Sequence, residues 1–332
     1  MEVKNTNFKP NQSKFVILWA DSVLKQLVFI KPLKTKLKHA LLLLYHALDH
    51  WQLMQAMTSP VSRKLLEYHP KIKYKYLRNN YLFRTLSIRD ALAIQTYHYQ
   101  TLNTAVKENF LLSIINDSPI LWQYDSSEYH FCIKISFPRN QAFPYDLADH
   151  EGDISLIFEV DKMQLGVISL TMVSGEIVKR VWHINDCKRA MFIARVQGVR
   201  DQLELFNAVT KVLYYNSPLR LLMSAVQGIA KALATDTLIG VSTSEQLSRG
   251  SKFNNTDSFF DYDSFWMQLG AKKFNDQVFF MPADIPEKPF EEVRPNQRSR
   301  TLKKRKLRAT VINEICASFS NKFLFISEPR NE

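Results

Sequence analysis

DISLIFEVDKMQLGVISLTMVSGEIVKRVWHINDCKRAMFIARVQG, residues 153–198, is the stretch that decides the fold. Ile154, Leu156, Phe158 and Val160 alternate with other residues, so they share one face of an extended chain. The pattern predicts four strands, Asp153–Val160, Leu165–Val173, Ile177–Ile184 and Ala190–Gln197, joined by DKMQ, SGE and NDCKR. Connectors this short join antiparallel neighbours, because parallel strands need a crossover of about a dozen residues. Upstream, Tyr129–Phe137 reads as one more strand, separated by a polar, Pro-containing stretch over 138–152.

Downstream the period lengthens. Asp201 can cap a helix carrying Leu205, Phe206, Val209, Val212 and Leu213 on one face. Ser217 followed by Pro218 opens a second, with the stripe Leu222, Ala225, Val226, Ile229 and Leu233. Thr237–Val241 reads as a short buried strand, 242–258 as an exposed loop, Tyr262–Leu269 as a short helix ending at Gly270, and Gln277–Met281 as a last strand. Beyond Pro286 the chain is rich in Pro and charge, then forms a basic helix from about Arg300. Upstream, the first 110 residues read as helical: His39–Met57, then a short helix Arg63–Tyr68 capped by Ser62, then Ile88–Leu112. The expected organisation is thus α+β. A helical region over 1–115 precedes a core over 116–290, built as an antiparallel meander sheet with helices. A basic helical segment follows over 291–332.

Composition narrows the function classes. The chain has 332 residues, 46% hydrophobic and 23% charged, which suits a folded protein with a sizeable core. Its 8 glycines leave no G-x-G-x-x-G and no G-x-x-x-x-G-K-[ST], so glycine-rich nucleotide loops are excluded. Cys132, Cys187 and Cys316 are too far apart for a thiolate zinc site, and an odd number of them suits free thiols in a reducing cytoplasm. His46-Ala-Leu-Asp-His50 places two histidines one helical turn apart, but the acid between them is Asp and no third ligand is evident. His183-Ile-Asn-Asp-Cys187 reads as a turn. The run Leu41–Leu44 is too short to span a bilayer, and no export signal is evident, so the expected location is cytoplasmic.

Charge is uneven. Residues 1–110 hold 17 Lys+Arg against 6 Asp+Glu, and 111–293 hold 17 against 23, while 294–308 hold 8 basic residues and no acidic one. Basic ends around an acidic centre suit either an anionic partner or docking of the ends on the centre. For the first reading the candidate residues are Lys303, Lys304, Arg305 and Lys306, although no specific nucleic-acid motif accompanies them.

Five ordered segments carry a family resemblance. They are Pro70–Tyr99 (with Tyr76-Leu77, Arg89 and His98-Tyr99), Glu151-Gly-Asp-Ile-Ser-Leu156, Phe192-Ile-Ala-Arg-Val-Gln-Gly198, Thr210-Lys211 through Pro218-Leu-Arg to Leu222, and Tyr262-Asp-Ser-Phe-Trp266 with Leu269-Gly270. Together with the basic run Lys303–Arg308, they resemble the bacterial VirK/YbjX family over roughly residues 60–320. The chain departs from the family at Ala194, where a glycine is frequent. The resemblance implies a bacterial cytoplasmic protein linked to virulence, the cell envelope and resistance to cationic peptides, with no activity attached.

The order meander, helix, helix, strand, helix, strand also resembles the GNAT-like acyltransferase architecture. That likeness implies an acyl-coenzyme A or acyl carrier protein as donor and an amine-bearing acceptor. It implies the donor's pyrophosphate at the strand-to-helix loop, where Arg195, Gln197, Gly198 and Arg200 stand, although Gln197-Gly-Val-Arg200 does not match the usual loop pattern. Asp263 or Asp261 is the candidate base toward an amine, and Ser242, at the end of the short central strand, is a second catalytic candidate.

Overall fold

The computed structural model describes residues 33–77, 81–138, 150–199, 202–247 and 260–325. Among the described residues five helices precede the sheet: α1 (Leu33–Tyr45), α2 (Ala47–Met57), α3 (Pro60–Tyr68), α4 (Ile88–Ala105) and α5 (Phe110–Asn116). Three corrections apply to the expectations for this region. The helix expected over His39–Met57 breaks at His46, and nothing in the sequence there explains the break. Helix α3 begins three residues early because the Ser59 hydroxyl accepts the N–H of Ser62 and Pro60 takes the first turn, where a missing N–H costs nothing. The helix expected over Ile88–Leu112 ends at Ala105, because Val106 turns extended and bridges to Leu324 near the far end of the chain.

The sheet has eight strands: β1 (Ile120–Asp125), β2 (His130–Ser136), β3 (Ile154–Val160), β4 (Met163–Ser174), β5 (Arg189–Gly198), β6 (Thr237–Val241), β7 (Lys272–Lys273) and β8 (Val278–Pro282). Their order is β1-β2-β3-β4-β5-β6-β8-β7, with every neighbouring pair antiparallel except β5 and β6. Strand β1 lies outside the elements expected from the sequence. It follows Pro119 and joins β2 through a turn held by the Ser126 hydroxyl, which takes the N–H of Tyr129.

The strand expected over Ile177–Ile184 is a helix, α6 (Gly175–Trp182). Ser174 caps it by accepting the N–H of Ile177, Glu176 stands in the first turn, and Lys179 and Arg180 in the last. Ile177, Val178 and Trp182 face inward, and Trp182 stacks on Phe192 with parallel rings 5.4 Å apart. Gly175 permits the start, since a β-carbon there would lie 2.0 Å from the carbonyl oxygen of Cys187. The eight-residue helix thus hides between two strands of one antiparallel pair.

The remaining helices are α7 (Leu203–Val212), α8 (Pro218–Ala232), α9 (Tyr262–Gln268) and α10 (Arg298–Phe323). Leu221, Leu222, Ala225, Val226 and Ile229 of α8 are all buried, and α8 packs against β3, β4 and β5. Along α10, Leu307, Val311, Ile315, Phe319 and Phe323 recur every four residues and are buried against α8. The helices meet closely at Gly228, where a β-carbon would stand 2.7 Å from the carbonyl oxygen of Ile312. The end of α10 then reaches the first helical layer: Phe319 and Phe323 pack edge-on against Phe110, and Lys107 donates its backbone N–H to the carbonyl of Phe323 at 2.7 Å. One continuous apolar core therefore includes Leu53, Leu102, Leu156, Val226 and Phe319.

Candidate functional site

Strands β5 and β6 run parallel only over Ala190–Ile193 against Thr237–Gly240. At that limit Ala194 is the extra residue of a β-bulge, since Ser169 faces Arg195 while Leu170 faces Ile193. Past the bulge, the N–H of Val196 meets the hydroxyl of Tyr262 on α9 at 2.8 Å instead of a strand partner. On the other side Trp266 fills the gap. Its indole N–H donates to the carbonyl of Val241 at 2.8 Å, and its ring lies flat on Gly240, where a β-carbon would be 2.3 Å away. The parallel pairing of the two strands ends here.

A cavity of about 570 Å³ is lined by the start of α8, the end of α9, the turn between α7 and α8, residues 287–297 and the first turns of α10. Six of its lining residues are cationic (Arg220, Lys288, Arg294, Lys304, Arg305 and Arg308) and two are acidic (Glu287 and Glu292). The helix-capping signal Ser217-Pro218 puts Arg220 in the first turn of α8, where Ser217 accepts its backbone N–H. On α10, Arg300, Lys304 and Arg308 share one face at a spacing of four.

Tyr214 and Tyr215 form the turn, both in the left-handed region at φ 54° and 63°. That conformation is uncommon for aromatic residues and holds only where surroundings impose it. Here Asn216 ties the turn to α10, accepting from Arg308 at 2.8 Å. The rings in turn carry cations: the Arg300 guanidinium lies 4.2 Å from the Tyr215 ring centre, and Lys303 lies 5.7 Å from that of Tyr214.

The charges here do not balance. Glu287 satisfies Arg308 at 2.5 Å and faces Arg305 at 3.4 Å. The Arg220 guanidinium has no hydrogen-bond or ion-pair partner among the described residues, although it is partly buried. Burial, then the neighbouring Arg308, push its pKa down, and Glu287 offsets this only in part. Lys304 is pushed down too, by burial and then by Arg308, Arg300 and Arg220. Cations crowded into a concave site without enough acid make a site for an anion, and guanidinium groups suit phosphate because they donate two parallel bonds.

The residues singled out from the sequence fall in several places. Lys304 and Arg305 line the cavity, while Lys303 and Lys306 are exposed on the same helix. Arg195 and Gln197 sit past the bulge on β5, where Gln197 accepts from Arg195 at 2.8 Å and Glu151 stands 3.6 Å from the same guanidinium. Gly198 ends β5 with no atom crowding it closer than 3.8 Å, and Arg200 lies outside the described residues. Ser242 is fully buried and donates to the carbonyl of Asp276 at 2.6 Å. Asp263 accepts the N–H of Thr243 at 2.6 Å and lies 3.8 Å from Lys273. Ser242, Thr243 and Asp263 thus meet where β6 ends and α9 begins.

A second polar cluster, unassigned from the sequence, is fully enclosed between the helical layer and the sheet. Lys75 pairs with Asp153 at 3.0 Å and also donates to the carbonyl of Gly152. The Asp153 carboxylate accepts from Tyr81 at 2.5 Å and Thr171 at 2.7 Å. Burial alone would raise its pKa, but Lys75, His98 and the two hydroxyls outweigh it and hold it at about 2. His98 is held at about 4, mainly by burial, and its ring nitrogen accepts the N–H of Met172. His50 of the zinc-like pair accepts or donates at 2.9 Å with Tyr76, and burial holds it at about 4. Among the described residues no group of three or more His, Cys, Asp or Glu is placed to hold a metal.

The fold and site define a mixed helix-and-strand protein with a basic cavity where the first turns of α8 and α10 meet. By sequence the chain belongs to the family described as "Protein of unknown function (DUF535)", whose profile matches residues 29–317. That family includes VirK/YbjX, so the five segments resemble the family to which the chain belongs. No curated protein and no solved structure matches the chain. No helix among the described residues is long and apolar enough to cross a membrane.

Proposed function

We propose that the protein is an acyl-donor-dependent N-acyltransferase whose donor, an acyl-coenzyme A or acyl carrier protein, sets its phosphates in the basic cavity. The observation that carries this reading is the partly buried Arg220 guanidinium, without a protein partner, facing Arg308 and Lys304. The strand order supports it, since the one parallel pair ends at a bulge, past which the Val196 N–H turns from the sheet to the Tyr262 hydroxyl. In the reaction an acceptor amine attacks the thioester carbon, the C–N bond forms, the C–S bond breaks and the thiolate leaves. Asp263 is the proposed base for the amine proton, and Ser242 orders the strand end beside it. Arg195, Gln197 and Gly198 remain candidate donor contacts at the end of β5. The three free cysteines suit the cytoplasm, where such donors are made, and a role in virulence or the envelope belongs to this same proposal.

The test is a thermal-shift titration of the whole chain with coenzyme A, acyl-coenzyme A and pyrophosphate, because a ligand that binds only the folded state raises the midpoint. A shift that survives Arg195→Ala and disappears in Arg220→Met supports the cavity. A shift lost in Arg195→Ala and kept in Arg220→Met moves the donor to the end of β5. A second reading, a non-enzymatic binder of an anionic partner, draws on the exposed Lys303 and Lys306. It is favoured if only long polyanions shift the midpoint and added salt abolishes the effect.

A further inference from the structure

Helix α1 and the start of α2 carry an apolar stripe that the core does not use. On α1, Leu37, Leu41 and Leu44 follow at spacings of four and three, so they line one side of that helix, and Leu48 follows in the first turn of α2. They are 60, 57, 50 and 68% exposed, and neighbouring Tyr45 is 84% exposed. The opposite side is the docked one, with Leu43 fully buried in the core and Leu42 packed against it. Four leucines and a tyrosine left in water on so short a helix are unusual, and such patches mark contact surfaces.

The charge beside the stripe decides between occupants. Helix α1 contains Lys34, Lys36 and Lys38, and no acidic residue occurs between Asp21 and Asp49. A symmetric second copy would bring like charges together, which costs free energy. A surface bearing fixed negative charge would instead match both the leucines and the lysines. An apolar stripe beside lysines, with no acid among them, is the pattern of a helix that lies flat at the boundary between lipid headgroups and acyl chains. On α1 the stripe from Leu37 to Leu44 spans 7 residue steps, about 10 Å at 1.5 Å per residue, enough to lie along a leaflet and too short to cross one.

We propose that the α1 face docks on an anionic membrane surface, through Leu37, Leu41, Leu44, Tyr45 and Leu48 together with the exposed Lys38. The surface is separate from the basic cavity, so the inference goes beyond the acyltransferase reading and stands without it. It would bring the protein to acceptors displayed at a leaflet.

The test is co-sedimentation of the whole chain with vesicles of phosphatidylcholine alone or mixed with phosphatidylglycerol. Wild type is expected to pellet with the anionic vesicles and to stay in solution with the neutral ones. Leu41→Ser/Leu44→Ser/Leu48→Ser is expected to bind at least about tenfold more weakly, because each leucine withdrawn from the interface forfeits more than one factor of ten. The residues are exposed, so the variant keeps its fold, which far-UV circular dichroism checks. Arg220→Met, with the cavity altered, is expected to bind vesicles as wild type does. Equal pelleting of wild type and the triple variant overturns the proposal. So does binding lost in Arg220→Met and kept in the triple variant, or a wild-type dimer in light scattering that the triple variant breaks while vesicle binding is unchanged.

Discussion

Two enclosed groups of cations in this molecule have opposite electrostatic fates. Around Lys75 the chain supplies a complete set of partners: the Asp153 carboxylate, the carbonyl of Gly152, and the hydroxyls of Tyr81 and Thr171 on the carboxylate's other oxygen. Around Arg220 it supplies more cations, and the nearby Glu287 is already engaged by Arg308 and Arg305. A buried charge whose partners come from the protein is architecture, because removing one partner strands the other in low dielectric. A buried charge without a partner stores repulsion that a ligand relieves, and that is the physical mark of a binding site. The teaching point is that burial alone separates neither case; the accounting of counter-charges does.

Asp153→Asn should break the contrast most sharply. It leaves the Lys75 ammonium uncompensated, with an expected loss of about 3–5 kcal/mol in urea-induced unfolding. Lys75→Met/Asp153→Leu should recover much of that loss, since it removes both charges together. If the single variant melts like wild type, the pair is not the lock described above.

Acid titration sharpens the same cluster. The folded state holds His98 and His50 at about 4, below their ordinary 6.5, so the unfolded chain binds more protons in between. Stability is therefore complete above about pH 6.5 and falls as the pH drops toward 4, by on the order of 3 kcal/mol for each ring. Asp153, held at about 2 against an ordinary 3.8, adds a second loss below about pH 4. Unfolding free energies measured from pH 8 to 3 should show the first slope, and His98→Gln should flatten it.

At the other pole, Arg220→Met should leave the ligand-free midpoint unchanged or raise it, by up to about 1 kcal/mol, since it removes a repelled charge. Adding sulfate or pyrophosphate should stabilise wild type and not the variant. A clear destabilisation of the ligand-free variant would instead put Arg220 among the architectural charges. The smallest effect is expected at Gly198→Ala, within about 0.5 kcal/mol, because the nearest atom to the new β-carbon is 3.8 Å away. A large loss there, read from the same melts, would reopen the end of β5 as a tightly packed site.

The sheet was legible because its signal is local. Strands β3 and β4 follow from alternation and a short connector, β5 and β6 from their apolar runs, and Ser217-Pro218 announces α8 within two residues. Helix α6 was not, because Ile177, Val178 and Trp182 look extended by hydrophobicity alone, while its cap at Ser174 and the tight fit of Gly175 against Cys187 appear only in three dimensions. The cavity was half legible. Lys304 and Arg305 stand out as a basic run, and Pro218-Leu-Arg220 was among the quoted segments, but only the docking of α10 on α8 brings them together. Lys75 and Asp153, 78 positions apart, share a charge pair that no spacing rule reaches.

Helix α10 is synthesised after every other described element, yet it contributes one wall of the cavity and ties back to Lys107 and Phe110. A ribosome-bound chain emerges N-terminus first, so the sheet and both earlier helical layers can be in place while Arg220 still faces water. The cavity is therefore closed on that side only by the final helix. A product that stops just before residue 298 would hold all eight strands and lack one wall of the cavity.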